Sequence, residues 1–174
     1  MTVRCPAASD RHLVHEALTR CGAFSDDEVR VAIEMFDSGL EGDYSLLAIE
    51  TGGVLRAYAC FGKASLTERS WYLYWICVHP TVQRNGIGQA LERTVEDAVR
   101  HMGGDRLVLE TSGRADYEHA RRFYERAGFT VHGRIPDFYK PGDDCIIYCK
   151  ILGDAASTLS AHGSSAPSAA GWPC

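Results

Sequence analysis

Apolar positions recur along this chain with two different periods, and the changes of period mark its elements. In "SDRHLVHEALTRC" the residues Leu13, Val14, Ala17 and Leu18 fall at helical spacing, which predicts a helix from Ser9 to about Cys21 with Gly22 as its stop. A second helix opens in "SDDEVRVAIEMFDSG", where Ser25 and Glu28 form a capping-box pattern and Val29, Ala32, Ile33 and Phe36 share a face. The pattern then becomes strand-like. "YSLLAIE" runs to the hairpin signal Gly52-Gly53, "VLRAYACFGKA" resumes after it, and "WYLYWICVHP" is an aromatic, β-branched run bounded by Pro80. These three predict an antiparallel meander, with "TVRCPA" as a short strand before the helices.

The helical period returns at Ile87, Ala90, Leu91, Val95, Ala98, Val99 and Met102, and Gly103-Gly104 ends it. "DRLVLETS" reads as a strand, "DYEHARRFYERAG" as a helix with Gly128 in the left-handed cap position, and "FTVHGRI" and "CIIYCKIL" as the last strands. The alternation of strand and helix from Trp71 to Val131 implies a parallel pairing through a right-handed crossover. The fold class is mixed α/β, with about seven strands and about four helices. Residues 1–152 read as one domain, and residues 153–174, rich in Ala, Ser, Gly and Pro, as a flexible tail.

Composition narrows the function. A net charge of -5 argues against a dedicated nucleic-acid binder but leaves room for a local basic pocket. No apolar run reaches membrane-spanning length and the amino terminus has no signal-peptide core, so a cytoplasmic protein with no membrane partner is expected. The seven cysteines are irregularly spaced without a CxxC pair, which argues against a structural zinc site, and no metal is expected.

Chemistry concentrates where the strand before Pro80 hands over to a helix, at Gln83-Arg84-Asn85-Gly86-Ile87-Gly88. A hairpin turn does not fit, because helix follows. A dinucleotide fingerprint lacks its third glycine, and a phosphate loop of the G-K-[ST] type lacks its lysine. What remains is a helix N-terminus entered through a glycine-permitted loop. Its unpaired amides and partial positive charge suit an anion, and Arg84 adds to them. The residues alone lead to a phosphate-bearing ligand.

The segment Q-x-x-G-x-G from Gln83 to Gly88, after a strand ending in "VHP", resembles the acyl-coenzyme A motif of the GNAT N-acetyltransferases. "HARRFYERAGF", His119 to Phe129, resembles the A-x-x-[LF]-Y-x-x-x-G-F block of the same superfamily, and the order of elements agrees from about Val3 to Leu152. The resemblance implies a mostly antiparallel sheet splayed at its middle, with acetyl-CoA as co-substrate. The backbone of Ile76, Cys77 and Val78 would bond the pantetheine arm, and the loop Gln83, Arg84, Asn85, Gly86, Ile87, Gly88 and Gln89 would hold the pyrophosphate. It also implies that Tyr124 protonates the departing thiolate. Tyr117 stands where many relatives carry an asparagine that touches the pantetheine.

Glu110, at the end of an apolar strand where the sheet opens, is the candidate base, on the expectation that burial raises its pKa. His79 reads as a cap on exposed backbone, and Cys77 as a buried apolar filler with no partner to activate it. The acceptor pocket is expected to use Tyr72, Tyr74, Phe138 and Tyr139, with Asp137, Asp143 and Asp144 supplying negative charge. Such a site suits a small cationic amine with an apolar body. "DFYKPGDDCIIY" resembles the tyrosine-rich segment of protein N-terminal acetyltransferases, so a peptide amino terminus stays open as acceptor. A non-catalytic acetyl-CoA sensor is the third alternative. Either a monomer or a homodimer is compatible with the sequence.

Overall fold

In a computed structural model, residues 1–153 are described. The elements run β1 (Thr2–Arg4), α1 (Arg11–Arg20), α2 (Asp26–Glu41), β2 (Ser45–Thr51), β3 (Val54–Lys63), β4 (Ser70–Val78), α3 (Ile87–His101), β5 (Arg106–Ser112), α4 (Glu118–Arg126), β6 (Thr130–Lys140) and β7 (Asp143–Ile151). Of the expected tail, only Gly153 lies within the described residues; the rest falls outside them.

The capping box forms: the Ser25 hydroxyl accepts from the Glu28 amide at 3.4 Å, and the Ser25 amide donates to the Glu28 carboxylate at 2.7 Å. The second helix runs past Gly39 to Glu41, because Gly42, at φ 103°, supplies the left-handed cap. The seven strands form one sheet in the order β1-β2-β3-β4-β5-β7-β6. The predicted crossover is the β4–β5 parallel pairing, and the other neighbours are antiparallel. β6 does not pair with β5, because β7 inserts between them. It also runs on past the expected strand "FTVHGRI" through "PDFYK".

Two apolar layers cover the sheet. One face packs α1 and α2 through Val14, Leu18, Ile33 and Phe36. The other packs α3 through Leu91, Val95 and Val99, with Tyr124 of α4 and its C-cap Ala127 at the margin.

The feature that positions the site is the parting of β4 from β5. Their pairing covers Ser70↔Arg106, Trp71↔Leu107 and Tyr72↔Val108 and then stops. β4 continues along β3 to Val78, and β5 continues along β7 to Ser112. The parting coincides with a β-bulge. Leu73 pairs with Phe61 and Trp75 with Cys60, which leaves Tyr74 as the extra residue. A bulge bends its strand and reverses the side-chain alternation. Accordingly Trp71 and Leu73 enter the α3 layer, whereas Trp75 and Cys77 enter the α1–α2 layer.

Candidate active site

The opening between β4 and β5 is one end of a cleft of about 1310 Å³. Along it the β5-facing edge of Leu73–Val78 has no strand partner, so its backbone groups are open to an extended ligand. One main-chain acceptor is already engaged: the Gln83 side-chain amide donates to the Val78 carbonyl at 2.9 Å. That bond folds the loop back on the strand end and turns the following residues into the cleft.

His79 starts the same turn. Its Nδ1 accepts from the Thr81 amide at 3.3 Å, and its Nε2 is buried without a hydrogen bond, 3.8 Å from Glu16. The histidine therefore caps backbone as expected.

The loop then reaches α3 with Arg84 at φ 62° and Gly86, the N-cap, at φ 78°. Arg84, Asn85, Gly86 and Gln89 are exposed, while the Ile87 side chain is buried under the helix. Gly88 lines the cleft, and a Cβ there would meet Phe123 at 3.3 Å and Val78 at 3.4 Å. A positive helix end, an exposed arginine and a glycine whose surroundings crowd a side chain fit a phosphate-bearing ligand that comes close to the backbone.

Tyr124 lines the cleft from α4. Its ring packs edge-on against Phe123 and Phe129, with centroids 5.5 and 6.0 Å away, and tilted against Tyr148 at 6.0 Å. The hydroxyl makes no hydrogen bond among the described residues. Burial, with a smaller contribution from Tyr148, pushes its pKa up to about 12, so it keeps its proton throughout the neutral range.

A buried charge cluster holds α4 in place. Lys150 of β7 donates to Glu92 of α3 at 3.2 Å and also to Glu96 and the Ala127 carbonyl. Burial and the adjacent Glu96 push Glu92 up to about 8. Against its own burial, hydrogen bonds from Glu92 and Lys150 hold Glu96 low.

Several expectations need correction. Glu110 lines the cleft but is exposed, so the burial invoked for it is absent. Tyr72, Tyr74 and Tyr139 line the cleft, whereas Phe138 does not: it is exposed and packs edge-on against Tyr139. Asp144 is committed to Arg134 and the Asp137 amide, and Asp137 to the Gly142 amide at 2.6 Å. Of the three aspartates, Asp143 lines the cleft, buried and bonded by the Ser112 hydroxyl. Tyr117 also lines the cleft, but its hydroxyl donates to Glu28, at 3.0 Å from Oε1 and 3.2 Å from Oε2.

The cysteine expectation holds. Cys77 is buried in the α1–α2 layer, and burial raises its thiol far above its ordinary value. Trp75, of the aromatic strand expected to wall the acceptor pocket, lines the cleft, and the structure adds Phe24 and Glu28, which the sequence pattern does not assign to the site. Phe24 stacks edge-on against Trp75 at 5.3 Å, which fastens the α1–α2 loop to the bulged strand.

The family model described as "Acetyltransferase (GNAT) family" matches residues 11–129, more than half of the chain. The chain belongs to the GNAT acetyltransferase family. It is an acyltransferase, and its sheet, parted at the centre and flanked by four helices, is the GNAT fold. A crystal structure of a GNAT-family protein from Desulfovibrio desulfuricans is 37% identical, covers 87% of this chain and 99% of its own, and superposes with a TM-score of 0.83. The yncA protein of Salmonella typhimurium, solved with acetyl-CoA, shares the fold at 20% identity and a TM-score of 0.70, over 96% of this chain and 97% of its own. N-alpha-acetyltransferase 30 of Schizosaccharomyces pombe is 27% identical over 107 residues, 61% of this chain and 70% of that protein.

Proposed function

We propose that this enzyme transfers an acetyl group from acetyl-CoA directly to a primary amine in a ternary complex, with a small, cationic, partly apolar amine as acceptor. The observation that carries the reading is that the unpaired edge of β4, Tyr124 and the α3 N-terminus line the same cleft. Bound acetyl-CoA supplies an activated thioester. Leu73–Val78 offer it a strand edge, and the amides from Arg84 to Gln89, with the Arg84 guanidinium, meet its phosphates. The co-crystallised yncA supports the same choice of donor.

The residues divide the proton work. An attacking amine must be neutral, and Glu110, exposed in the cleft, takes the ammonium proton through water. Tyr124, protonated at neutral pH, gives a proton to the departing sulfur as the thioester C–S bond breaks and the amide C–N bond forms. An acetyl-cysteine route has no support, because the Cys77 thiol is buried on the other face of β4 and does not ionise readily.

The acceptor half is walled by Phe24, Tyr72, Tyr74, Trp75 and Tyr139, with Glu110 and Asp143 as carboxylates, the Glu28 carboxylate being taken up by Ser25 and Tyr117. Aromatic faces and carboxylates together suit a cation with an apolar body. A second reading, a peptide amino terminus, is favoured by the likeness to N-alpha-acetyltransferase 30 and by Tyr139 on the β6–β7 hairpin. The test is acetyl-CoA-dependent release of CoA with tyramine, benzylamine, spermidine and tetrapeptides that begin with Ala, Ser or Met. Higher kcat/KM for the arylalkylamines supports the first reading, higher values for the peptides support the second, and no acceptor-dependent release contradicts both.

A further inference from the structure

α2 and α4 cover opposite faces of the sheet, yet a hydrogen bond joins them. Tyr117, at the N-cap of α4, donates its hydroxyl to Glu28 in the first turn of α2, 89 residues earlier. The bond joins two walls of the cleft, since both residues line it. Glu28 is the anchor of the α1–α2 loop: its carboxylate also accepts from the Ser25 amide and the Ser25 hydroxyl, each at 2.7 Å. Burial first, and then Glu28, raises the Tyr117 pKa, so the phenol keeps the proton that it donates. The Phe24–Trp75 contact holds the neighbouring residue of the same loop.

We propose that Tyr117 is a positioning residue. From the donor side of the cleft it clasps Glu28, and through Glu28 it sets the α1–α2 loop as the wall of the acceptor half. Residues 21–25 line that half, so their position fixes the width available to the incoming amine. The clasp thus ties acceptor recognition to a residue on the helix that carries Tyr124. This rests on the donor and acceptor assignment proposed above. It extends it by giving Tyr117 a role toward the acceptor and not the coenzyme.

Tyr117→Phe removes the hydroxyl and keeps the ring. Hydrogen exchange of the amides of residues 21–25, measured without any ligand, should speed up about tenfold, the order expected for one hydrogen bond to a charged group. With tyramine and an alanine-initiated tetrapeptide as acceptors, the acceptor KM should rise about tenfold while kcat and the acetyl-CoA KM hold. Glu28→Gln keeps the capping-box acceptor and loses the charge, so it should raise the acceptor KM less than Tyr117→Phe, and add nothing when combined with it. Unchanged exchange at 21–25 shows that no clasp restrains the loop, and overturns the proposal even if no acceptor is ever turned over. Faster exchange with an unchanged acceptor KM, a rise confined to the acetyl-CoA KM, or additive effects of the two substitutions would each overturn the positioning role.

Discussion

The loop assignment can be tested by two glycines of the same helix. Gly86 at the start of α3 and Gly103 just beyond its end have φ values of 78° and 80°, and a Cβ on either would meet nothing within 4 Å. Alanine at each therefore carries the same cost, that of holding a side chain in left-handed backbone, about 1–2 kcal/mol. For a chain of this size that is roughly 2–8 °C in Tm. The positions differ in what surrounds them. Gly86 lines the cleft and belongs to the helix end that carries the unpaired amides, while Gly103 is at the opposite end of α3. A methyl group at Gly86 stands in the path of an approaching phosphate and shifts the amides that would meet it. The loss of one hydrogen bond to a charged group is worth about 1.5–3 kcal/mol, or roughly 10- to 150-fold in affinity. Thermal melts and calorimetric titration with CoA should show equal destabilisation of Gly86→Ala and Gly103→Ala, and weakened binding in Gly86→Ala alone. Wild-type CoA affinity in Gly86→Ala, or an equal loss in both variants, would refute the assignment of this helix end to the phosphates.

Two further outcomes follow from the buried groups. Cys77→Ala should keep turnover within about threefold of wild type, since the thiol takes no part in direct transfer; abolished turnover in a folded variant would point to an acetyl-enzyme. Glu92 titrates in the folded state near 8, above its unfolded value, so the wild type loses stability as pH rises between the two. Glu92→Gln cannot ionise, so its Tm should gain on wild type from about pH 5 to about pH 8 and level off above; parallel Tm–pH curves would contradict the raised pKa of the buried Glu92.

Much of the fold was legible because it is written locally. Leu91, Val95 and Val99 repeat at helical spacing, Ser25 and Glu28 sit three apart, and Gly86 marks a helix entrance; each signal concerns neighbours in sequence. The bulge at Tyr74 was not legible. "WYLYWICV" is apolar at nearly every position, so a reversal of faces leaves no break in its pattern. Nor was the insertion of β7 between β5 and β6, since strand order is a matter of long-range pairing. Within the site, the glycine loop and Tyr124 were readable from motif and helical period. Glu28 was hidden because the capping box already accounts for a glutamate at that place, and its second partner is 89 residues away. Phe138 was misplaced because Asp137, at φ 52°, and a register shift between Ile135 and Lys140 interrupt the alternation of β6.

The central claim is that acetyl transfer takes place in the opening between β4 and β5 with Tyr124 as the acid. Tyr124→Phe tests it most directly, because the variant keeps the ring contacts with Phe123, Phe129 and Tyr148 and loses only a hydroxyl that has no partner among the described residues. Turnover with a saturating amine, CoA affinity and Tm should be measured on one preparation. The predicted result is a kcat lower by roughly 10- to 1,000-fold, with affinity and Tm close to wild type. Full turnover with a lowered Tm would contradict the account and make Tyr124 a residue of the core.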